Sequence, residues 1–223
     1  MPTVLITGCD SGLGREFALQ YAQAGYTVWA TYREIQNALP AQPGLRHCAL
    51  DVTDMAQFAA LKETLGDTPI DVLVSNAGIG LDNAALESLD IAYVQRMLAT
   101  NTVGPLKLVQ TLVGNVAASE QRRIVFLSSR MGSIALNLSG GHYGYRASKA
   151  GLNAIGRSLA IDLFRRGITL ALVHPGAVNT AGGNPRAPLT ATQSVQAMRA
   201  TIAQLGNHET GVFYTYDGHP LPW

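Results

Sequence analysis

The sequence predicts an α/β fold built on a doubly wound sheet of about seven parallel strands with helices on both faces. Three observations carry the prediction. Apolar runs rich in β-branched residues alternate with helical segments along the whole chain. A strand, a glycine-rich loop, a helix and a second strand open it as one βαβ unit. The 223 residues, 47% hydrophobic and 14% charged, suit one domain over 1–223 with a large core and exclude a disordered chain.

Residues 3–6 form the first strand and 7–14 the glycine loop. A helix through Phe17, Ala18, Tyr21 and Ala22 then ends near Gly25, and 27–31 is the second strand. Strands follow at 45–50, 70–74, 124–127, 168–173 and 212–214. Helices are expected over 55–65, 89–113, 145–164 and 194–205, with Gly104-Pro105 a kink or boundary in the long one. Residues 177–189, rich in Gly, Asn and Pro, read as a loop over a site.

Composition narrows the function classes. A formal charge of +1 gives no general pull toward nucleic acid or an anionic membrane. Cys9 and Cys48 form no CxxC pair, and the five histidines show no metal-binding spacing, so no metal site is expected. The start MPTVLITG is no signal peptide, and no apolar run is long enough to cross a bilayer. A cytoplasmic protein is the expectation.

The glycine loop carries the first motif. Gly8, Gly12 and Gly14 lie between a strand and a helix, where a side-chain-free backbone can approach a pyrophosphate at the helix N-terminus. The spacing is GxxxGxG rather than the commoner GxGxxG. Tyr145 and Lys149 carry the second. A tyrosine with a pKa of about 10 is a poor acid–base near neutrality. A lysine at i+4 lies on the same helix face and favours the phenolate. Tyr143 lacks such a lysine and is expected to line the pocket.

Together with Asn76-Ala77-Gly78 after Ser75, Asn101 in TNTVGP, and Pro175-Gly176, these motifs resemble the short-chain dehydrogenase/reductase family. The likeness spans nearly the whole chain. The stretch SSRMGSIALNLSGGHYGYRASK and the ending YDGHPLPW look like its small carbonyl-reductase branch. The resemblance implies a Rossmann-type fold and an NAD(P)-dependent oxidoreductase acting on a small carbonyl or alcohol. It implies Tyr145 as acid/base, Lys149 tuning it and binding the nicotinamide ribose, and Asn101 holding a water beside Lys149. A serine orients the substrate oxygen. Ser129 ends a strand and is preferred, although it stands farther from Tyr145 than is usual; Ser133 is nearer and is the rival.

Cofactor contacts are expected from Gly8, Asp10, Ser11, Gly12, Leu13 and Gly14, from Asn76, Ala77 and Gly78, and from Pro175, Gly176, Val178 and Thr180. Asp51 and Val52 should flank the adenine, Asp51 alternatively being a turn cap. The second strand runs into Arg33, which can pair with a 2′-phosphate, so NADP(H) is favoured over NAD(H); Glu34 is a rival ribose ligand. His174 reads as a hydrogen-bonded structural histidine, and Trp223 as a packing or interface residue. Relatives often pair through the helices that carry Asn101 and Tyr145, so a homodimer or homotetramer is expected. The alternative function is an NADP(H)-binding regulatory or signalling protein with little turnover.

Overall fold

Residues along each central strand alternate between two cores. In the computed structural model, Leu5 packs in one buried cluster while Val4 and Ile6 pack in the other. Ile124 and Phe126 are likewise opposed to Val125 and Leu127, and Leu170 and Leu172 to Ala171 and Val173. A strand with both faces covered must read as a continuous apolar run, as these do. The structure describes residues 1–80, 84–179 and 186–223.

The elements are β1 (Thr3–Ile6), α1 (Gly12–Gln23), β2 (Thr27–Tyr32), β3 (Leu45–Ala49), α2 (Met55–Leu65), β4 (Val72–Ser75), α3 (Ile91–Leu98), α4 (Gly104–Ala117), β5 (Arg123–Leu127), α5 (Tyr143–Leu163), β6 (Thr169–His174), β7 (Val178–Asn179), β8 (Leu189–Thr190), α6 (Ala191–Gln204) and β9 (Phe213–Thr215). The main sheet has seven strands in the order β3-β2-β1-β4-β5-β6-β9, all parallel. This is the Rossmann-type sheet anticipated. One core cluster seats Phe58, Leu61, Leu108, Leu112 and Leu152 of α2, α4 and α5 on one face; the other seats Phe17, Tyr21, Val195 and Met198 of α1 and α6 on the opposite face.

The order reverses between β1 and β4, which opens a crevice beyond their carboxyl ends. The candidate residues gather there: the glycine loop follows β1, Arg33 β2, Asp51 β3, Asn76 β4, Ser129 β5 and Pro175 β6.

Some boundaries differ from those expected. The helix expected over 89–113 divides at the expected Gly104-Pro105 boundary, but a π turn over Ala99–Val103, not anticipated, precedes it. Pro105 sits in the first turn of α4, where its missing N–H costs nothing. α5 starts earlier, at Tyr143, after His142 in the left-handed region (φ 51°). α6 also starts earlier, because Thr190 forms a capping box: its Oγ1 accepts from Gln193 N at 3.1 Å, and Gln193 Oε1 accepts from Thr190 N at 3.0 Å. β7 and β8, not anticipated, form a short parallel pair at the two ends of the expected 177–189 loop.

Candidate active site

The glycine loop is locked to the turn after β4. Thr7 Oγ1 accepts hydrogen bonds from Asn76 N and Ala77 N, both at 3.0 Å. Asn76 Nδ2 donates to Thr7 O at 2.8 Å and Gly8 O at 3.1 Å. Gly14 closes this cradle: a β-carbon on it would stand 2.1 Å from Gly8 O. Ser11 precedes α1 without a side-chain cap, and the first turn holds no acid. The amide end of α1 therefore remains available to an anion.

Beside the loop lies a cavity of about 730 Å³. Of the expected cofactor residues, Gly8, Asp10, Ser11, Gly12, Leu13, Arg33, Asp51, Val52, Asn76, Ala77 and Gly78 line it. Leu50, Thr53, Ile79, Tyr93, Arg96, Ala99 and Thr100 also do, none of which carried a sequence signal. Gly14, Tyr145, Lys149, Pro175, Gly176 and Val178 are not among its walls. Asp51 holds a turn as well, accepting from Thr53 N at 2.8 Å and Thr53 Oγ1 at 2.7 Å.

At the β2 end, the Arg33 guanidinium is exposed and stands 3.8 Å from the Glu34 carboxylate. The Asp10 carboxylate accepts from Arg33 N at 3.2 Å and Glu34 N at 3.1 Å, fixing this turn to the glycine loop.

The second cluster forms on α5. Lys149 is 6% exposed. Its Nζ donates to Leu127 O at 2.8 Å and lies 5.9 Å from the centre of the Tyr145 ring. Burial lowers the Lys149 pKa to about 8. Burial also raises that of Tyr145, and the opposing influence is a hydrogen bond with Ser129. The expected stabilisation of phenolate by Lys149 is not among the causes acting on Tyr145 in the protein alone.

Ser129 and Ser133 have different partners. Ser129 Oγ accepts from Met131 N at 3.2 Å, and Ser129 is the group that lowers the Tyr145 pKa against burial. Ser133 Oγ donates to Trp223 O at 3.1 Å and accepts from Leu136 N at 3.2 Å. Ser133 thus ties chain segments together, while Ser129 meets the tyrosine.

Asn101 occupies the π turn. Its Oδ1 accepts from Ile79 N at 2.9 Å, and its Nδ2 donates to Ile79 O at 3.0 Å and Ser148 Oγ at 3.0 Å. Ser148 Oγ in turn donates to Tyr145 O at 2.9 Å. The turn after β4 is so joined to α5 between Tyr145 and Lys149. A β-carbon on Gly78 would stand 3.1 Å from Asn101 Oδ1 and 3.8 Å from Lys149 Nζ. Sequence reasoning missed Ser148, although it lies inside the YRASK motif; its signal was position, between Tyr145 and Lys149.

Pro175 O accepts from Ser194 Oγ at 2.6 Å, Gly176 adopts φ 83°, and Val178 lies in β7. Thr180 lies outside the described residues. His174 Nδ1 is buried with no partner among the described residues, unlike the hydrogen-bonded histidine expected. Burial, then nearby Arg130, lowers the His174 pKa to about 4, so its ring is neutral. Tyr143 is half-exposed at the start of α5. Trp223 stacks on Phe213 with ring centres 5.7 Å apart, a packing role. Among the described residues no group of three acids, histidines or cysteines could hold a metal, and no helix is long and apolar enough to cross a membrane.

Comparison with known proteins agrees with this geometry. The short chain dehydrogenase family model matches residues 2–188. The chain is 40% identical to the C-signal protein of Myxococcus xanthus over 155 residues, covering 70% of this chain and 93% of that one. Its fold matches the carbonyl reductase Sniffer of D. melanogaster with a TM-score of 0.92 and 30% identity, over 100% of both chains. It matches the NADPH-bound carbonyl reductase from chicken fatty liver with a TM-score of 0.89 and 28% identity, over 100% of this chain and 99% of that one. The chain belongs to the short chain dehydrogenase family and is an oxidoreductase acting on CH–OH and C=O groups.

Proposed function

We propose that this protein uses NADP(H) to reduce an aldehyde, ketone or quinone, or to oxidise the matching alcohol, with Tyr145 as the acid/base. One observation carries the reading: Ser129, just past the end of β5, lowers the Tyr145 pKa against the effect of burial, and Tyr145 shares its helix with buried Lys149. The cradle that a Gly14 side chain would fill, the uncapped amide end of α1 and the adjoining cavity fit a dinucleotide.

Gly8, Asp10, Ser11, Gly12 and Leu13 would hold the pyrophosphate side, with Gly14 supporting the loop. Asp51 and Val52 would flank the adenine, and Asn76, Ala77 and Gly78 would line the middle. Pro175 and Gly176 would adjoin the cofactor, and Val178 and Thr180 would meet the carboxamide. Arg33, at the cavity wall, favours the 2′-phosphate of NADP(H), and a related fold is known with NADPH bound. When bound, the nicotinamide supplies or accepts the hydride. The chain does the rest. Ser129 would orient the substrate oxygen, Tyr145 Oη would give it a proton during reduction or take one during oxidation, and Lys149 would bind the ribose and, with the cofactor in place, favour the phenolate. Asn101 steadies a water that links Lys149 to solvent.

The test is NADPH and NADH oxidation against a panel of aldehydes, ketones and quinones, repeated with Tyr145→Phe. Turnover with NADPH, lost in the variant while NADPH still binds, is the expected result. Full activity in the variant would sink the assignment. The relative named C-signal supports a second reading, an NADP(H)-binding signalling protein with little turnover. Tight NADPH binding with no oxidation across the panel would favour it.

The reading extends to assembly and place. A homodimer or homotetramer through α4 and α5 is supported by an apolar groove of about 420 Å³ lined by Met55, Val103, Leu106, Leu159 and Leu163. Light scattering on the eluting protein measures it. The two unpaired, buried cysteines fit a reducing cytoplasmic compartment. Residues 1–223 would act as one domain, with 177–189 over the substrate.

A further inference from the structure

Helix α5 presents Tyr145, Lys149 and Asn153 on successive turns to the segment that leaves β5. Their partners lie close together on that segment. Lys149 Nζ donates to Leu127 O at 2.8 Å. Ser128 Oγ donates to Asn153 Oδ1 at 2.6 Å. Ser129 acts on Tyr145, lowering its pKa against the effect of burial. Asn153 Nδ2 donates to Gly132 O at 3.2 Å. Asn153 is 4% exposed and so grips the chain on both sides of Ser129 from within the core.

The chain from Ser129 back to Tyr145 offers Ser129 less support. Ile134 and Leu138 on it are 79% and 93% exposed, and Gly140, Gly141 and His142 take positive φ. Position along a long surface loop does not hold a hydroxyl to a fraction of an ångström. A buried amide with both ends engaged does.

We propose that Asn153 is a positioning residue: by pinning Ser128 and Gly132 to α5, it sets where the Ser129 hydroxyl meets Tyr145. The inference rests on the reading of Ser129 and Tyr145 given above, and it adds a residue that touches neither substrate nor cofactor.

The experiment compares the full-length wild type with Asn153→Ala, Asn153→Asp and Ser128→Ala. Three quantities are measured: NADPH affinity by fluorescence, kcat and KM with a carbonyl substrate, and the ultraviolet titration of the Tyr145 phenol, with Tyr145→Phe as the subtracted reference. In Asn153→Ala, kcat falls about tenfold or more, the cost expected of a misplaced reacting group. NADPH affinity holds, and the Tyr145 titration moves to higher pH, because the Ser129 bond that opposes burial is loosened. Asn153→Asp keeps the acceptor for Ser128, loses the donor to Gly132 and falls between.

Unchanged kcat and titration in a folded Asn153→Ala protein overturn the proposal. So does a parallel loss of NADPH affinity, which marks general loosening. Should Asn153→Ala fail to fold, Ser128→Ala removes one hydroxyl and is read by the same criteria. The titration needs no turnover. A wild type that reduces no carbonyl would therefore overturn the proposed function, while the titration still decides the role of Asn153.

Discussion

Gly132 lies against the backbone of Lys149 so closely that a β-carbon on the glycine would stand 2.8 Å from the lysine carbonyl carbon. The turn after Ser129 and the helix bearing Tyr145 are therefore in direct contact. A Gly132→Ala substitution must push them apart, because the obstructing atoms are backbone. It is expected to destabilise the fold by about 1–3 kcal/mol and to lower kcat more than it raises the NADPH Kd. Denaturant titration and steady-state kinetics check both.

The serine partners separate two otherwise similar variants. Ser129→Ala removes the hydroxyl bonded to Tyr145 and should lower kcat by about 10²–10³-fold. Ser133→Ala removes the bond to Trp223 O and should cost about 1 kcal/mol of stability while leaving kcat close to wild type. Reversed effects would transfer the role to Ser133.

Lys149 is costly to bury. Its pKa is about 8 folded against 10.5 for the free side chain. Between those values the unfolded chain binds the extra proton, so this group's contribution to stability rises with pH across the window. Below pH 8 the cost is present in full. Lys149→Met should therefore raise stability at neutral pH by about 1–3 kcal/mol, after the lost bond to Leu127 O is deducted. The advantage should fade as pH climbs toward 10.5. Thermal melts of both proteins across this range test the sign. The same variant should lose most of its turnover.

Arg33 is exposed and paired only with Glu34 among the described ion pairs. Arg33→Ala should weaken NADPH binding by about 10–100-fold, the worth of a charged hydrogen-bonded contact, and leave NADH binding nearly unchanged. Equal losses for both cofactors would remove Arg33 from phosphate recognition.

Gly14→Ala drives a methyl group into Gly8 O, and because that obstruction is backbone the glycine loop itself must shift. Loss of NADPH binding with a large drop in stability is expected. Gly25→Ala is the control: its site is open, and its φ of 81° makes the cost conformational, so NADPH binding should persist.

The elements that position the site were readable because their causes are local. Strands buried on both faces need unbroken apolar runs, so β1, β5 and β6 announced themselves. The glycine loop did too, since Gly8 and Gly12 take positive φ and Gly14 has no room for a side chain. Tyr145 and Lys149 were legible as a pair because i+4 spacing on a helix is a geometric fact. Gly104-Pro105 is legible as the boundary where α4 begins, but the π turn before it is not, since its features come from afar: Asn101 bonds to Ile79, and Thr102 Oγ1 donates to Ser148 O at 2.7 Å. No local pattern encodes such partners. The same reason separates Ser129 from Ser133. Both are small hydroxyls near a strand end, and which one meets Tyr145 depends on how the chain folds back through Trp223 and Asn153. Residue type and spacing thus established the family of chemistry. Long-range hydrogen bonds, which exist only once distant segments have packed, chose the atoms that would perform it.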